Sequence, residues 1–264
     1  MGMCRKRPYN TKITDGHSQE LRKYLAMKPQ SQETYYDIRW GRHILLAIAA
    51  ILLIPYLVRI SGLDYSVAHA FYDGQSWLIE ARQPILRFLF YILPKWLLVT
   101  FASCMLILLA LSFCVKGLRR FRSRRQLFIV LCAALVPLIV GAGKKLTNIY
   151  CPYQLEEFGG SFKEGPIFDF ISAKSAACFP AGHASGGFAL LLLVPLAKPG
   201  KQRNTALIFA LIAGWVMGGF QMLNGRHFLS HTIVTMLLAW IIVVTAHYLI
   251  IGQSQENRGL KRKK

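Results

Sequence analysis

Acidic residues are scarce in this chain: 12 Asp and Glu stand against 32 Lys and Arg among 264 residues, and only 17% of positions are charged. With 54% hydrophobic residues and a mean hydropathy of +0.37, that scarcity excludes both a disordered chain and an ordinary soluble domain. Residues 1–43 lack the apolar run and small-residue cleavage site that a signal peptide requires, so they read as a retained basic tail on the cytoplasmic side. No internal repeat recurs. The chain therefore reads as one membrane domain, 44–251, between basic tails at 1–43 and 252–264.

What is present in quantity is apolar runs. Six approach the roughly 20 residues that cross a bilayer: 44–60, 96–115, 127–143, 180–197, 205–223 and 232–251, the fourth being short and glycine-bearing. Basic residues crowd into alternate connections. The tail to His43, the stretch from Lys116 to Arg125, the stretch from Lys198 to Arg203 and the end after Gly252 together hold 23 of the 32 Lys and Arg. By the positive-inside rule these four segments share the cytoplasmic side, which places both termini there and predicts an all-α, six-helix membrane protein. The net charge of +20 is thus a topology signal, with anionic-lipid contact secondary and nucleic acid excluded as a partner. Residues 61–95 mix apolar and charged positions and predict an amphipathic helix or pair of helices at the outer interface, with re-entry of part of it into the membrane as the alternative.

The outer side carries the chemistry-bearing residues. Lys144 and Lys145 close the third run, where a lone cation is often a snorkelling residue. They are followed by Asn148, Cys151-Pro152, a glycine-containing loop with four acids, and then Phe179-Pro180-Ala181-Gly182-His183. After the fifth run comes Asn224-Gly225-Arg226-His227-Phe228-Leu229-Ser230-His231. If a helix begins there, His227 and His231 share one face. Two outer segments thus deliver histidine to one depth, and an ionisable group at the mouth of a membrane helix is expensive unless solvated or used.

In these residues the chain resembles the type 2 phosphatidic acid phosphatase superfamily, whose members remove phosphate through a phosphohistidine. The family pattern has three parts. Lys, six residues and Arg-Pro is matched by Lys144 and Cys151-Pro152; Pro-Ser-Gly-His is matched by Pro180-Ala181-Gly182-His183. Ser-Arg, five residues, His, three residues and Asp is matched with Gln221 at the arginine, His227 at the histidine and His231 at the aspartate. Both pattern arginines, the aspartate and one serine are therefore replaced. The resemblance covers roughly 44–251 and implies six spans with the three parts on one side, as the charge pattern also does.

The resemblance implies His227 as nucleophile, His183 as general acid and Lys144 on the phosphate. Neutral imidazole can attack phosphorus and imidazolium can protonate a leaving oxygen. His231 is expected to orient His227 through a ring hydrogen bond, with Glu156, Glu157 or Asp169 as sources of the missing negative charge. Lys145 and Arg226 are the expected replacements for the absent arginines, although a lysine does not reproduce a bidentate guanidinium. Cys151 and Cys178 lie at the two ends of the outer loop and are expected to form a disulfide, two free thiols being the alternative.

Rival readings stay open at this level. His227, His231, His183 and the two loop cysteines carry donors suited to zinc, although Phe228 stands where a zinc protease has its glutamate. The histidines can also be hydrogen-bonding members of a helical bundle. The expectation is a lipid phosphatase at the outer, periplasmic face of a cytoplasmic membrane, needing no metal or other cofactor. Its partners are the membrane and a lipid phosphate: isoprenyl pyrophosphate, a phosphatidate-like lipid, phosphatidylglycerol phosphate or lipid A. A lipid phosphotransferase with the same intermediate, or a non-catalytic lipid-binding or transport protein, are the alternatives.

Overall fold

In the computed structural model, residues 40–79, 83–147, 149–165 and 176–252 are described, all within one unit, Ile38–Lys264. Most of the basic N-terminal tail, the C-terminal tail after Gly252, Asn148 and Asp169 lie outside the described residues. The described chain is helical, with isolated β-bridges only at Tyr72–Trp77 and Leu155–Phe162.

Helix α1 runs Trp40–Ile60 and the short α2 runs Leu63–His69, joined through Gly62 at φ 66°. Short α3, Pro84–Arg87, passes through a π-helical turn at Phe88–Ile92 into α4, Leu93–Cys114. Helix α5 covers Arg124–Thr147, and Ser123 Oγ accepts from the Gln126 N–H at its start (3.1 Å). Helix α6, Gly182–Ala189, continues through a 3₁₀ turn into α7, Leu193–Leu196. Helices α8, Lys201–Leu223, and α9, Leu229–His247, complete the set.

Five helical segments are long and apolar enough to cross a membrane: Gly41–Ile60, Pro84–Cys114, the segment beginning at Arg124, Lys201–Leu223 and Leu229–Gly252. Their outer faces expose large apolar side chains, among them Leu52 on α1, Leu97 on α4, Leu138 on α5 and Ile212 on α8. A water-exposed protein rarely presents so much contiguous apolar surface, whereas lipid solvates it. The fourth apolar run differs from the expected crossing. It forms only the broken helix Gly182–Leu196, about 22 Å long at 1.5 Å per residue, against a hydrocarbon layer of about 30 Å.

Among the described residues, 61–95 divide between two helical segments. Leu63–His69 is a separate short helix, and the second long segment begins at Pro84 rather than near position 96. Proline at the first helical turn needs no N–H partner and presets φ. Ile85, Leu86, Phe88 and Leu89 then continue the apolar run, and only Arg87 and Lys95 interrupt its hydropathy.

The broken helix α6–α7 is the most enclosed apolar element, wrapped by α5, α8 and α9 around Phe128, Cys132, Val136, Phe188, Leu191 and Val243. Close approach requires small residues. A Cβ on Gly214 would lie 2.1 Å from the Phe188 ring, and one on Gly187 would lie 2.6 Å from the Ala213 carbonyl oxygen. Without a hydrophobic drive between helices in lipid, such backbone contact and van der Waals packing hold the bundle. Above it, Tyr65, Tyr72 and Trp77 pack on Phe158 and Phe228, joining the 61–79 segment to the 149–165 loop.

Candidate functional site

Three backbone stretches are stitched together at one end of the bundle. Cys178 N–H donates to the Ile149 carbonyl (3.1 Å), Tyr153 N–H to Gly225 (3.0 Å) and Ala181 N–H to His231 (3.3 Å). Thr235 Oγ1 donates to the His231 carbonyl (2.9 Å) and also reaches the Ala181 carbonyl (3.3 Å), while the Thr147 hydroxyl donates to Phe179. A disulfide between Cys151 and Cys178 fastens the first stretch to the second. Sequence positions far apart thereby deliver Lys144, His183, His227 and His231 to one place.

His183 Nδ1 lies 3.3 Å from His227 Nε2. His227 Nδ1 lies 3.5 Å from Cys178 Sγ. A disulfide sulfur carries no hydrogen, so in this contact the ring nitrogen acts as the donor, and placing the proton on Nδ1 leaves Nε2 with its lone pair. His227 is buried, and its pKa is pushed well below 6.5, first by desolvation and then by the like charge of His231, His183 and Lys144. His227 is therefore neutral at neutral pH.

Lys144 lies across Gly182 at the start of α6: a Cβ there would sit 3.0 Å from Lys144 Cδ and 3.4 Å from its Nζ. The glycine leaves room for the cation. Lys144, His183 and Tyr91 line one end of a cavity of about 350 Å³ whose remaining walls are mainly apolar, with Leu98 and Pro137 among them. Burial first disfavours a charged His183, and the positive charge of Lys144, Arg226 and Lys95 adds to it. Such a setting opposes an imidazolium until an anion enters.

The other expected site residues fall in different places. Arg226 stacks its guanidinium over the Tyr153 ring at 4.5 Å. Lys145 is exposed on α5 and is not among the residues lining the cavity. His231 is buried with its ring centroid 5.9 Å from that of His227, and its Nδ1 has no hydrogen-bond partner among the described residues. The expected ring hydrogen bond from His231 to His227 is thus not made. Phe179 and Phe228 meet the His231 ring edge-on, at 5.1 and 5.4 Å between centroids, and hold it away. Gln221, at the pattern's arginine position, is a buried residue of α8.

Sequence reasoning missed a carboxylate at this end of α9. Asp64 on α2 accepts from Ser230 N–H (2.9 Å) and Ser230 Oγ (2.5 Å), at the first turn of α9, and lines a small cavity of about 80 Å³ together with His231. Burial raises its pKa above the ordinary 3.8, and the Ser230 hydrogen bonds oppose the shift. Glu157, expected as a possible source of charge, instead reaches His69 (2.9 Å). Residue 64 is 166 positions from its partner, and its only signal in the sequence is a lone acid in a chain that has few.

Cys178 Sγ, His227 and His231 offer ligand atoms within 4.8 Å of one another, a spacing compatible with a metal ion. Cys178 Sγ is bonded to Cys151 Sγ, so no thiolate is available there and two buried imidazoles remain. The donor set does not fit structural zinc.

The description "PAP2 superfamily" fits residues 125–254 of the chain. Over 200 residues the chain is 27% identical to the lipid A 4'-phosphatase of Francisella tularensis subsp. novicida (strain U112), covering 72% of this chain and 84% of that protein. No solved structure gives a significant match. The matched region carries His183, His227 and Lys144 and the helices that bring them together, and it is residues 125–254 that belong to the PAP2 superfamily.

Proposed function

We propose that this protein is a membrane lipid phosphatase that transfers the phosphoryl group to His227 and then to water. The observation that carries the reading is the contact of a neutral His227 Nε2 with His183 at the cationic end of an apolar cavity. Lys144 binds the phosphate oxygens. The His227 Nε2 lone pair forms the N–P bond as the P–O bond to the lipid breaks, and His183, protonated once the phosphate dianion offsets its cationic neighbours, gives its proton to the leaving oxygen. Water then cleaves the N–P bond with His183 as base. At 3.3 Å the two rings leave no room for a phosphorus between them, so substrate entry must part them.

Cys178 supports His227 on the Nδ1 side, a contact that His231, at the pattern's aspartate position, does not make. His231 shapes the floor of the site, while Arg226 and Lys145 supply longer-range positive charge. The cavity suits hydrocarbon, and the named relative's substrate makes lipid A phosphate the first candidate, ahead of phosphatidate-like lipids, phosphatidylglycerol phosphate and isoprenyl pyrophosphate. The topology that accompanies this reading has six crossings, with Gly182–Leu196 as the short fourth one, both termini cytoplasmic and the histidines at the outer face of a cytoplasmic membrane.

The test is phosphate release by purified protein from these lipids in EDTA, wild type beside His227→Ala and His183→Ala. Release that both substitutions abolish supports the reading. Release that survives His227→Ala, or that EDTA stops and zinc restores, overturns it.

A further inference from the structure

Neither position that carries a phosphate-binding arginine in the family pattern holds a cation here, since Cys151 is in a disulfide and Gln221 is buried in α8. The geometry points to Lys95, outside every motif, as a second phosphate-binding cation. This inference rests on the proposed function and deepens it.

Four observations converge on Lys95. It lines the same cavity as Lys144, Gly182 and His183. Its Nζ lies 5.7 Å from the centroid of the Tyr91 ring, and the same ring meets His183 edge-on at 4.8 Å. Tyr91 thus links the lysine to the histidine on one face. The π-helical turn at Phe88–Ile92 holds Tyr91 just before the start of α4, and the neighbouring Phe90 stacks on Phe220 of α8 at 5.7 Å, which holds the turn against the bundle. Single π turns of this kind shift which side chains face a site, and they recur at functional positions.

Depth is the fourth observation. The segment Pro84–Cys114 has 31 residues, more than the roughly 20 that cross the hydrocarbon. Counting about 20 back from Cys114 reaches Lys95, which places it at head-group level. The side chain is exposed in the structure, and among the described residues no acid forms an ion pair with it. A lysine on this face either faces lipid at a cost or meets an anion, and the phosphate of a lipid drawn into the cavity supplies one. Lys144 then holds the phosphate from α5 and Lys95 from α4, with the hydrocarbon running along Leu98 and Pro137 between the two helices.

The experiment compares Lys95→Met and Lys95→Arg with wild type for phosphate release from lipid A phosphate and phosphatidate, alongside thermal unfolding in detergent. Lys95→Met is expected to lower kcat/KM about ten- to a hundredfold, the effect of losing one hydrogen bond to a charged group, with Tm unchanged. Lys95→Arg is expected to recover most of the loss. Tyr91→Leu, which frees the lysine without removing its charge, is expected to lie between them. Wild-type kcat/KM in Lys95→Met overturns the inference while leaving the proposed phosphatase standing. If wild type releases no phosphate from any lipid, the phosphatase reading fails, and binding of orthovanadate decides the lysine separately. Weaker vanadate binding by Lys95→Met supports a phosphate-binding role, and equal binding refutes it.

Discussion

Replacing Asp64 by alanine removes the one acceptor that serves both the Ser230 backbone N–H and the Ser230 hydroxyl at the start of α9. Both partners are buried, Ser230 at 4% exposure and Asp64 at 9%, so water does not readily take over. A buried donor left without an acceptor costs about 1–3 kcal/mol, and loss of a helix N-cap costs about 0.5–2 kcal/mol. The hydroxyl can turn elsewhere, so the expected destabilisation of Asp64→Ala is about 3 kcal/mol, equivalent to about 6–12 °C in Tm for a domain of this size. Asp64→Asn keeps an oxygen for the N–H and offers its amide to the hydroxyl, so its loss should stay within about 1 kcal/mol. The raised pKa adds a second readout. Stability held by the protonated carboxyl is fully present below the ordinary value of 3.8 and is lost as pH rises through the raised folded value. Wild type should therefore lose stability over that window, and Asp64→Asn should not. The assay is thermal unfolding in detergent at several pH values. A Tm for Asp64→Ala within about 2 °C of wild type would refute the assignment of Asp64 as the remote cap of α9.

Three further outcomes are expected. The depressed pKa of His227 keeps its neutral form populated at and above 6.5 and removes it only as pH falls through the lower folded value; phosphoenzyme formation in a single turnover should show its acid limb well below 6.5, and a limb at or above 6.5 contradicts the site. Gly214→Ala pushes a Cβ to 2.1 Å from the Phe188 ring and should destabilise the bundle by about 1–3 kcal/mol, whereas Gly219→Ala, which meets nothing within 4 Å, should be close to neutral. Reducing the Cys151–Cys178 bond, which closes a separation of 27 residues, should cost about 2–4 kcal/mol and lower phosphate release, because Cys178 also contacts His227; unchanged activity in reductant would separate the disulfide from catalysis.

Hydropathy and charge determined the helical, membrane-crossing character of the chain by themselves, because an apolar run of about 20 residues has no other stable way to satisfy its backbone in lipid. The spacing of Lys144, His183 and His227 likewise singled out residues that the fold brings near one another. Helix limits were less legible. The break inside Gly182–Leu196 and the extension of the second segment back to Pro84 depend on packing against α8 and on a π turn, and neither leaves a periodic trace in the sequence. What only the tertiary structure decided are the long-range partners. Asp64 on Ser230, Lys95 beside His183 through Tyr91, the Cys178 contact with His227 and the separation of His231 from His227 all join segments distant along the chain or depend on how neighbouring rings pack. The reason is physical: hydropathy and motif spacing are local along the chain, while hydrogen bonds, charge and close packing act over a few ångströms in space.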